Sequence, residues 1–194
     1  PIAVTALTSS MLEDMQIEGG SDLQLVTPSL SFQGSDATGG AFNIRGITNL
    51  AVSPTAESGV EIHVNDLPVG ATTMQDGDFL DMERIEVLRG PQGTLFGKNS
   101  VGGVINLITA KPQFGEAFGS AGIDVGSYDL LKTKLMLNIP LGESLAMRIA
   151  ASSNDRDGDI KNIYSKAKTS HVNNRDSDAY RLSIAWNASD RTDV

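Results

Sequence analysis

Apolar and polar residues alternate with a period of two along four stretches in the C-terminal part of the chain. The stretches are centred on residues 120–125, 132–139, 145–152 and 180–187. In the second stretch, Leu135 and Leu137 fall on the opposite side from Lys134. Such alternation predicts strands with one apolar and one polar face. Each stretch has about 9–11 residues, the length that a tilted strand needs to cross a bilayer.

The connections between these strands differ in length. GSYD (residues 126–129) and PLGE (residues 140–143) are typical of tight turns, whereas residues 156–177 form a long polar connection. Membrane barrels combine short turns on one side with longer loops on the other, and Tyr180 and Trp186 suit the two aromatic belts. A soluble antiparallel sheet with one wet face alternates in the same way, so both interpretations stay open. Four strands cannot close a barrel, so we expect the sheet edges to need partners.

The earlier part of the chain predicts short, irregular elements. The expected strands are PIAVTAL, LSFQ, AFNIRGI, VEIHV and RIEVLRG. Capping-box signatures at Ser10–Glu13, with Ser10 as the cap, and at Ser21–Gln24 predict the starts of two short helices. FLDME (residues 79–83) predicts one helical turn, and Asn65-Asp66 predicts the turn of a hairpin.

Net charge separates the chain into two parts. The formal charge is −9, and residues 1–112, with five basic and thirteen acidic residues, account for −8 of it. Proline and glycine interrupt the pattern at AKPQFGE (residues 110–116). We therefore expect an α+β domain over residues 1–112 and antiparallel strands over residues 113–194. The acidic balance argues against nucleic acid as a partner, because no basic surface is available for phosphates.

Other compositional features exclude fewer classes of protein. The chain has no cysteine, so disulfide and thiolate chemistry are unavailable. No run approaches the roughly 18–20 apolar residues of a membrane helix, and PIAVTAL does not resemble a signal peptide. Since the chain begins with Pro1 and ends with DRTDV, we expect it to be a segment of a longer protein.

The glycine-rich stretch GPQGTLFGK (Gly90–Lys98) raises the question of a phosphate-binding loop. Such a loop requires a glycine where the chain has Gln92 and a hydroxyl where it has Asn99. The VINLIT that follows predicts a strand, whereas phosphate is bound at the start of a helix. A soluble α/β nucleotide-binding protein is the alternative, and it requires a helix directly after Lys98.

The sequence gives little support for a metal site or a catalytic site. Alternation predicts that His63 lies on the polar side of its strand, and with His171 as the only other histidine we expect no metal site. The carboxylates between Asp76 and Glu83 have no accompanying base or nucleophile. Residues 155–159 lack the glycine spacing of a calcium loop. We therefore expect no catalytic residue, no metal and no cofactor.

Several segments resemble the plug domain of TonB-dependent outer-membrane receptors. They are FNIRGI, VEIHVNDLPVG and FLDMERIEVLRGPQGTLFGKNSVGGVINLITAKP, with the openings PIAVTAL and TPSLSF. The resemblance covers most of residues 1–112, and residues 113–194 are similar to the first four strands of the barrel that follows. It implies an α+β plug domain followed by the N-terminal antiparallel strands of a transmembrane β-barrel, about four strands of about 22.

The resemblance implies a receptor and energy-coupled transporter, not an enzyme. It would lie in the outer membrane of a Gram-negative bacterium, with the plug in the barrel lumen. The implied partners are TonB, outer-membrane lipid and a scarce nutrient, first of all a ferric siderophore. Cobalamin and saccharide importers of the same family are alternatives, as is a secreted adhesive sheet from another class. In the family a segment before the plug contacts TonB, so that segment should precede Pro1.

The resemblance also implies roles for individual residues. Those that match the plug signature, or the charged residues that form ion pairs within the plug and to the barrel, are Arg45, Gly46, Glu83, Arg84, Glu86, Arg89, Gly90, Pro91, Gly97, Gly102 and Gly103. The candidates in plug loops that face the ligand are Ser35, Asp36, Asn49, Thr72, Thr73 and Gln75. We expect the glycines to allow tight turns and close backbone approach, and the ion pairs to exchange with water at small net cost.

Overall fold

The computed structural model describes residues 3–35, 39–48, 59–69, 78–164, 171–189 and 192–193. It contains two compact units, Pro1–Ala110 and Lys111–Val194. The first unit mixes helices and strands, and the second consists of antiparallel strands, so the expected fold class is confirmed. None of the helices in these ranges has the length and apolar character of a membrane-spanning helix.

The first unit is built on a five-stranded mixed sheet. The unit as a whole has seven strands in the described ranges: β1 (Ala3–Thr8), β2 (Leu30–Ser35), β3 (Gly39–Ile44), β4 (Val60–Val64), β5 (Leu67–Pro68), β6 (Met82–Arg89) and β7 (Gly103–Thr109). Its α-helices are α1 (Ser9–Asp14), α2 (Leu23–Val26) and α3 (Gly93–Phe96). The sheet has the order β1-β6-β7-β4-β5, while β2 and β3 form a separate antiparallel pair. β6 is antiparallel to β7, and β4 is parallel to it.

The core of this unit is apolar, and strands and helices both contribute to it. The least exposed of its side chains, all at 1% or less, include Leu23, Ile44, Ile85, Val87 and Ile105. Burying each such side chain contributes about 1.5–3 kcal/mol. β7 lies between β6 and β4 and is buried along almost its whole length, which explains why its sequence is nearly continuously apolar.

The predicted hairpin turn at Asn65-Asp66 is confirmed. Both residues have positive φ, 51° and 66°, as in the two-residue turns whose twist matches that of paired strands. Side chains of β7 hold the turn in place. Asn106 Nδ2 donates to Asp66 Oδ1 at 2.7 Å, and Thr109 N donates to Asn65 Oδ1 at 3.0 Å. Because Asn106 is 2% exposed, the bond to Asp66 is shielded from water.

The predicted cap of the first helix is wrong. Thr8, not Ser10, caps α1, and its Oγ1 accepts a hydrogen bond from Met11 N at 3.4 Å. The pairing of β1 with β6 ends at Thr8. The chain leaves the sheet there, and this long-range pairing fixes where the helix begins.

Two further local predictions are wrong. Ser21 does not cap α2, because a 3-10 turn (Gly20–Asp22) directly precedes the helix, and the Asp22 side chain makes no hydrogen bond to α2. Asp22 Oδ2 instead accepts from the backbone N–H groups of Glu18 and Gly19 at 2.9 and 3.0 Å. Residues 79–81 form no helical turn. Phe79 N donates to Glu18 O at 2.7 Å, Asp81 has a positive φ of 51°, and β6 begins at Met82, so long-range contacts and a bend replace the expected helical turn.

The second unit is a meander of four long strands. They are β8 (Phe118–Gly126), β9 (Leu130–Pro140), β10 (Leu145–Arg156) and β13 (Arg175–Ser189), with the short strands β11 (Ile160–Lys161), β12 (His171–Val172) and β14 (Thr192–Asp193). The sheet order is β14-β13-β10-β9-β8, so the long strands lie beside their neighbours in sequence. All adjacent pairs are antiparallel. The four expected strands are confirmed.

Burial in this sheet is the reverse of that in a soluble protein. One face carries large apolar side chains that are at least 43% exposed, among them Ile123, Leu135, Tyr180, Leu182 and Trp186. On the other face Lys132, Asn138 and Arg148 are buried, at 4%, 1% and 8% exposed. No element within the described ranges covers the apolar face.

Replacing Asn106 with Leu should destabilise the β4–β5 turn. The variant keeps the volume but removes the hydrogen bond to the exposed Asp66 carboxylate, and such a bond contributes about 0.5–1.5 kcal/mol. Hydrogen exchange of the amides of β4 and β5 measures this loss. Asn162→Leu, at a loop position whose side chain bonds only to nearby Tyr164 N, should leave the exchange unchanged. Equal protection in both variants would contradict the role of Asn106.

Candidate functional site

The connection between β6 and β7 (residues 90–102, the β6–β7 loop) contains most of the signature glycines. Backbone hydrogen bonds close it from both ends. Gly90 N donates to Gly102 O, and Gln92 N donates to Ser100 O, each at 2.9 Å. Gln92 and Ser100 are only 4% and 0% exposed. The loop is therefore a fixed structure whose inner polar groups bond to one another.

Gly103, at the end of this loop, cannot carry a side chain. Its φ is +152°, and a Cβ there would lie 2.3 Å from Leu88 O and 2.8 Å from Ile44 Cδ1. Gly102 N donates to Gly59 O at 2.7 Å, so the loop also approaches the start of β4 closely. These contacts join β6, β7 and β4 through backbone atoms alone.

The β6–β7 loop is not a phosphate-binding loop. The short helix α3 precedes Lys98, and the chain after Lys98 continues through a turn into β7. No helix start is available there to bind a phosphate. The nucleotide-binding alternative is therefore wrong.

Arg84 bridges two carboxylates of its own strand. Its Nε donates to Glu86 Oε1 at 2.7 Å, and its Nη1 pairs with Glu83. The hydrogen bond to Glu86 is the main cause that raises the pKa of Arg84 above its usual value. The three side chains are 28–47% exposed, and exposed pairs of this kind contribute only about 0–1 kcal/mol.

Arg45 and Arg89 both contact the Pro28–Ser29 turn. Arg45 N donates to Ser29 O at 3.0 Å, and Arg89 Nη1 donates to Pro28 O at 3.2 Å. A Cβ on Gly90 would lie 3.6 Å from Arg45 Nη1, so Arg45 lies beside the residue that follows Arg89. Within the described ranges, neither guanidinium has a carboxylate within 4.0 Å. The buried Nε of Arg89 also has no hydrogen-bond partner there.

The other signature residues lie at turns around these arginines. Gly46, Gly90 and Gly97 have φ of 84°, 113° and 91°, and Pro91 is exposed. The structure thus brings Arg45, Gly46, Arg89, Gly90 and Pro91 to one edge of the first unit, while Glu83, Arg84 and Glu86 lie further along β6.

His63 is buried, contrary to the prediction of a polar face. It is 3% exposed, its Nδ1 donates to Asp66 O at 3.1 Å, and its ring packs edge-on against Phe96 with centroids 5.0 Å apart. Glu61 Oε2 lies 3.6 Å from its Nε2. Because Phe96 packs against this ring, the face of β4 that carries His63 is covered as well. Among the described residues, no three potential ligands of the His, Cys, Asp or Glu type are grouped to hold a metal ion.

The proposed ligand-facing loops are mostly outside the described residues. This applies to Asp36, Asn49, Thr72, Thr73 and Gln75. Ser35 is the last residue of β2, where it pairs with Gly39. The role of all six residues in ligand binding stays a prediction.

Four buried polar residues that hold this region together were missed by the sequence analysis. They are Gln92, Ser100, Asn106 and Thr109, all at most 9% exposed. For Asn106 a signal was present, because an amide in the middle of the apolar run VINLIT needs a hydrogen-bond partner when it is buried. No comparable pattern marked the other three.

Residues 1–104 match the family described as the TonB-dependent receptor plug domain. Over 70 residues the chain is 41% identical to the metal-pseudopaline receptor CntO of Pseudomonas aeruginosa, which is 36% of this chain and 10% of that protein. Over 146 residues it is 28% identical to the pesticin receptor of Yersinia pestis, which is 74% of this chain and 21% of that protein. The matched part thus spans about a fifth of the length of one relative and a tenth of the other.

A solved structure has the same fold. The ferric yersiniabactin uptake receptor FyuA from Yersinia pestis matches with a TM-score of 0.83 and 24% identity, over 95% of this chain and 29% of that one. The match extends over both units, so it includes the antiparallel strands as well as the α+β unit.

Replacing Gly103 with Ala should destabilise the β6–β7 sheet. The new methyl group would collide with the backbone of Leu88, and forced overpacking of this kind costs about 1–3 kcal/mol. Hydrogen exchange of the β6 and β7 amides measures the loss. Gly93→Ala is the matched control, since a Cβ there meets nothing within 4 Å. The close-approach explanation fails if both variants are equally stable.

Proposed function

Since the chain belongs to the family of TonB-dependent receptor plug domains, we propose that it is part of an energy-coupled importer of the Gram-negative outer membrane. In this proposal residues 1–112 are the plug domain and residues 113–194 are the start of the barrel. The importer is a receptor and transporter and not an enzyme.

The observation that carries the proposal is the reversed burial of the second unit. Leu135, Leu182 and Trp186 are exposed on one face, while Lys132 and Asn138 are buried on the other. A barrel in a membrane needs this arrangement, because lipid surrounds its outer face and its interior is polar. The strands at the edges of the sheet then pair with further strands of the barrel, as closure requires.

The same observation argues against a secreted adhesive sheet. A soluble sandwich would cover the apolar face with a second sheet. In the described ranges this face is uncovered. Lipid supplies the missing cover in the importer, and nothing equivalent is available to a secreted sheet.

Arg45 and Arg89 are the best candidates for ion pairs between the plug and the barrel lining. Both lie at one edge of the first unit without a carboxylate partner in the described ranges, whereas Arg84 is paired within its own strand. An arginine fits this task because its fork binds a carboxylate with two hydrogen bonds. Such a contact in a wet lumen can break and re-form at small net cost.

A ferric siderophore is the ligand class that we favour. The relatives include a receptor named for metal-pseudopaline and an uptake receptor named for ferric yersiniabactin. Both names describe a metal bound to a small organic molecule. Cobalamin and saccharides are the alternatives within the family. The plug loops with Ser35, Asp36, Asn49, Thr72, Thr73 and Gln75 would contribute to the binding site, together with the outer loops of the barrel.

TonB is the proposed energy-coupling partner. It would act on a segment that precedes β1. Among the described residues, β1 is an edge strand whose one partner is β6, so a force applied to that segment acts on β1 first. Loss of this pairing would open the plug from its edge and leave β7, in the middle of the sheet, in place.

Cells that produce the full-length receptor should take up a radiolabelled ferric siderophore, and should lose this uptake when TonB is deleted. Cobalamin and an oligosaccharide, tested in the same cells, identify the ligand class. Uptake that is independent of TonB, or no uptake of any of the three, would contradict the importer.

Arg89→Ala and Arg45→Ala in the full-length receptor should each increase hydrogen exchange in the plug and change the uptake rate, because each removes a proposed contact with the barrel lining. Arg84→Ala is the contrast, since its partners Glu83 and Glu86 lie in the same strand. The proposed contacts are absent if uptake and plug exchange in the Arg45 and Arg89 variants equal those of the wild type.

A further inference from the structure

Asn138, on β9, binds a segment of chain that has no regular structure of its own. Its side chain is 1% exposed. Oδ1 accepts from Gln113 N at 2.8 Å, and Nδ2 donates to Gln113 O and to Glu116 O, both at 2.9 Å. Residues 113–116, here called the junction segment, form no helix or strand. One side chain therefore supplies three hydrogen bonds that attach this segment to the sheet.

The geometry of these bonds imitates a β-ladder. A carboxamide has the same donor and acceptor as a peptide unit, so it can bond to the N–H and the C=O of a single residue. Asn138 bonds to Gln113 in this way and uses its second N–H on Glu116. The junction segment is thus fixed to β9 as if it were a paired strand, although it has no backbone pairing with it.

The neighbouring contacts extend this attachment to the first strand of the sheet. Asn138 pairs in register with Phe118, the first residue of β8, and with Arg148 of β10. The guanidinium of Arg148 lies over the ring of Phe118, 5.6 Å from its centroid, within the range of a cation–π contact. The chain is therefore held from Gln113 to the start of β8 by side chains of β9 and β10.

The junction segment lies shortly after the first compact unit, so its attachment to β9 fixes the point where the second unit begins to hold the chain. The first compact unit ends at Ala110, and the junction segment begins three residues later. We propose that Asn138 is a positioning residue that keeps the junction segment on the barrel wall while the plug is displaced, so that displacement of the chain ends at Gln113. This inference rests on the proposed function, because it assumes a plug that moves while the barrel stays fixed.

Only asparagine provides this set of bonds at this distance. Aspartate keeps one acceptor but turns a second oxygen towards the carbonyl oxygens of Gln113 and Glu116. Glutamine is longer by one methylene group, and leucine has the volume but no hydrogen-bonding group. We therefore expect Asn138→Asp, which has the same shape, to release the junction segment as Asn138→Leu does.

The experiment uses the full-length receptor in a lipid bilayer and needs no ligand. The protein is pulled from its amino-terminal end with a force probe, and the length of chain released before the barrel resists is measured. In the wild type, release should end near Gln113. In Asn138→Leu and Asn138→Asp it should continue to Phe118, which adds five residues or up to about 18 Å. The Gln113 amide in these variants should also exchange about tenfold faster or more.

Asn154→Leu is the matched control. Asn154 lies on the same face of β10 as Arg148 and is 6% exposed, and the variant should stop at the wild-type length. An unchanged release length in both Asn138 variants overturns the inference, as does unchanged exchange of Gln113. If the wild type is released to Gln113 but imports no substrate, the transport proposal fails and the role of Asn138 stands.

Discussion

The reversed sheet of the second unit is the constraint on which the rest of the structure depends. Exposed apolar surface costs about 25 cal/mol per Å² in water, and this sheet exposes Leu, Ile, Val and aromatic side chains along β8, β9 and β13. An apolar solvent removes that cost, and the opposite face can then carry lysine, arginine and asparagine. Once lipid is the outer solvent, the strands must close and the space that they enclose is polar. In the proposed importer, a plug that fills this space meets polar walls.

The first unit has features that the proposed importer requires of its plug. Its apolar core is its own, formed by α1, α2 and the strands of its sheet. Polar groups lie at its surface, with Arg45 and Arg89 at one edge and the Arg84 pairs along β6, and apolar residues such as Leu67 and Leu95 are exposed as well. In the proposed importer, a domain with an internal core of this kind can move in a wet lumen without losing its fold. The central strand β7 supports this arrangement, because it anchors both the Asn65-Asp66 turn and the β6–β7 loop.

Sequence patterns predicted elements well where the signal was local to one element. The four alternating strands and the hairpin turn at Asn65-Asp66 are of this kind. Predictions failed where a distant segment decided the outcome. Ser10 is a good cap by its residue type, but the end of the β1–β6 pairing gave that place to Thr8. FLDME has a helical composition, but Phe79 bonds to the distant Glu18, and Met82 and Glu83 belong to β6.

The sequence by itself determined the order of the two units, the strands of the second, the turn chemistry and, through the match to the plug signature, the family. It determined these because periodicity, turn residues and signature spacing act over short stretches of chain. Only the tertiary structure decided that His63 is buried, that Gly103 has no room for a Cβ, and that Asn138 holds Gln113 and Glu116. Each of these depends on a segment far away in sequence, and no local pattern records which backbone a side chain will meet.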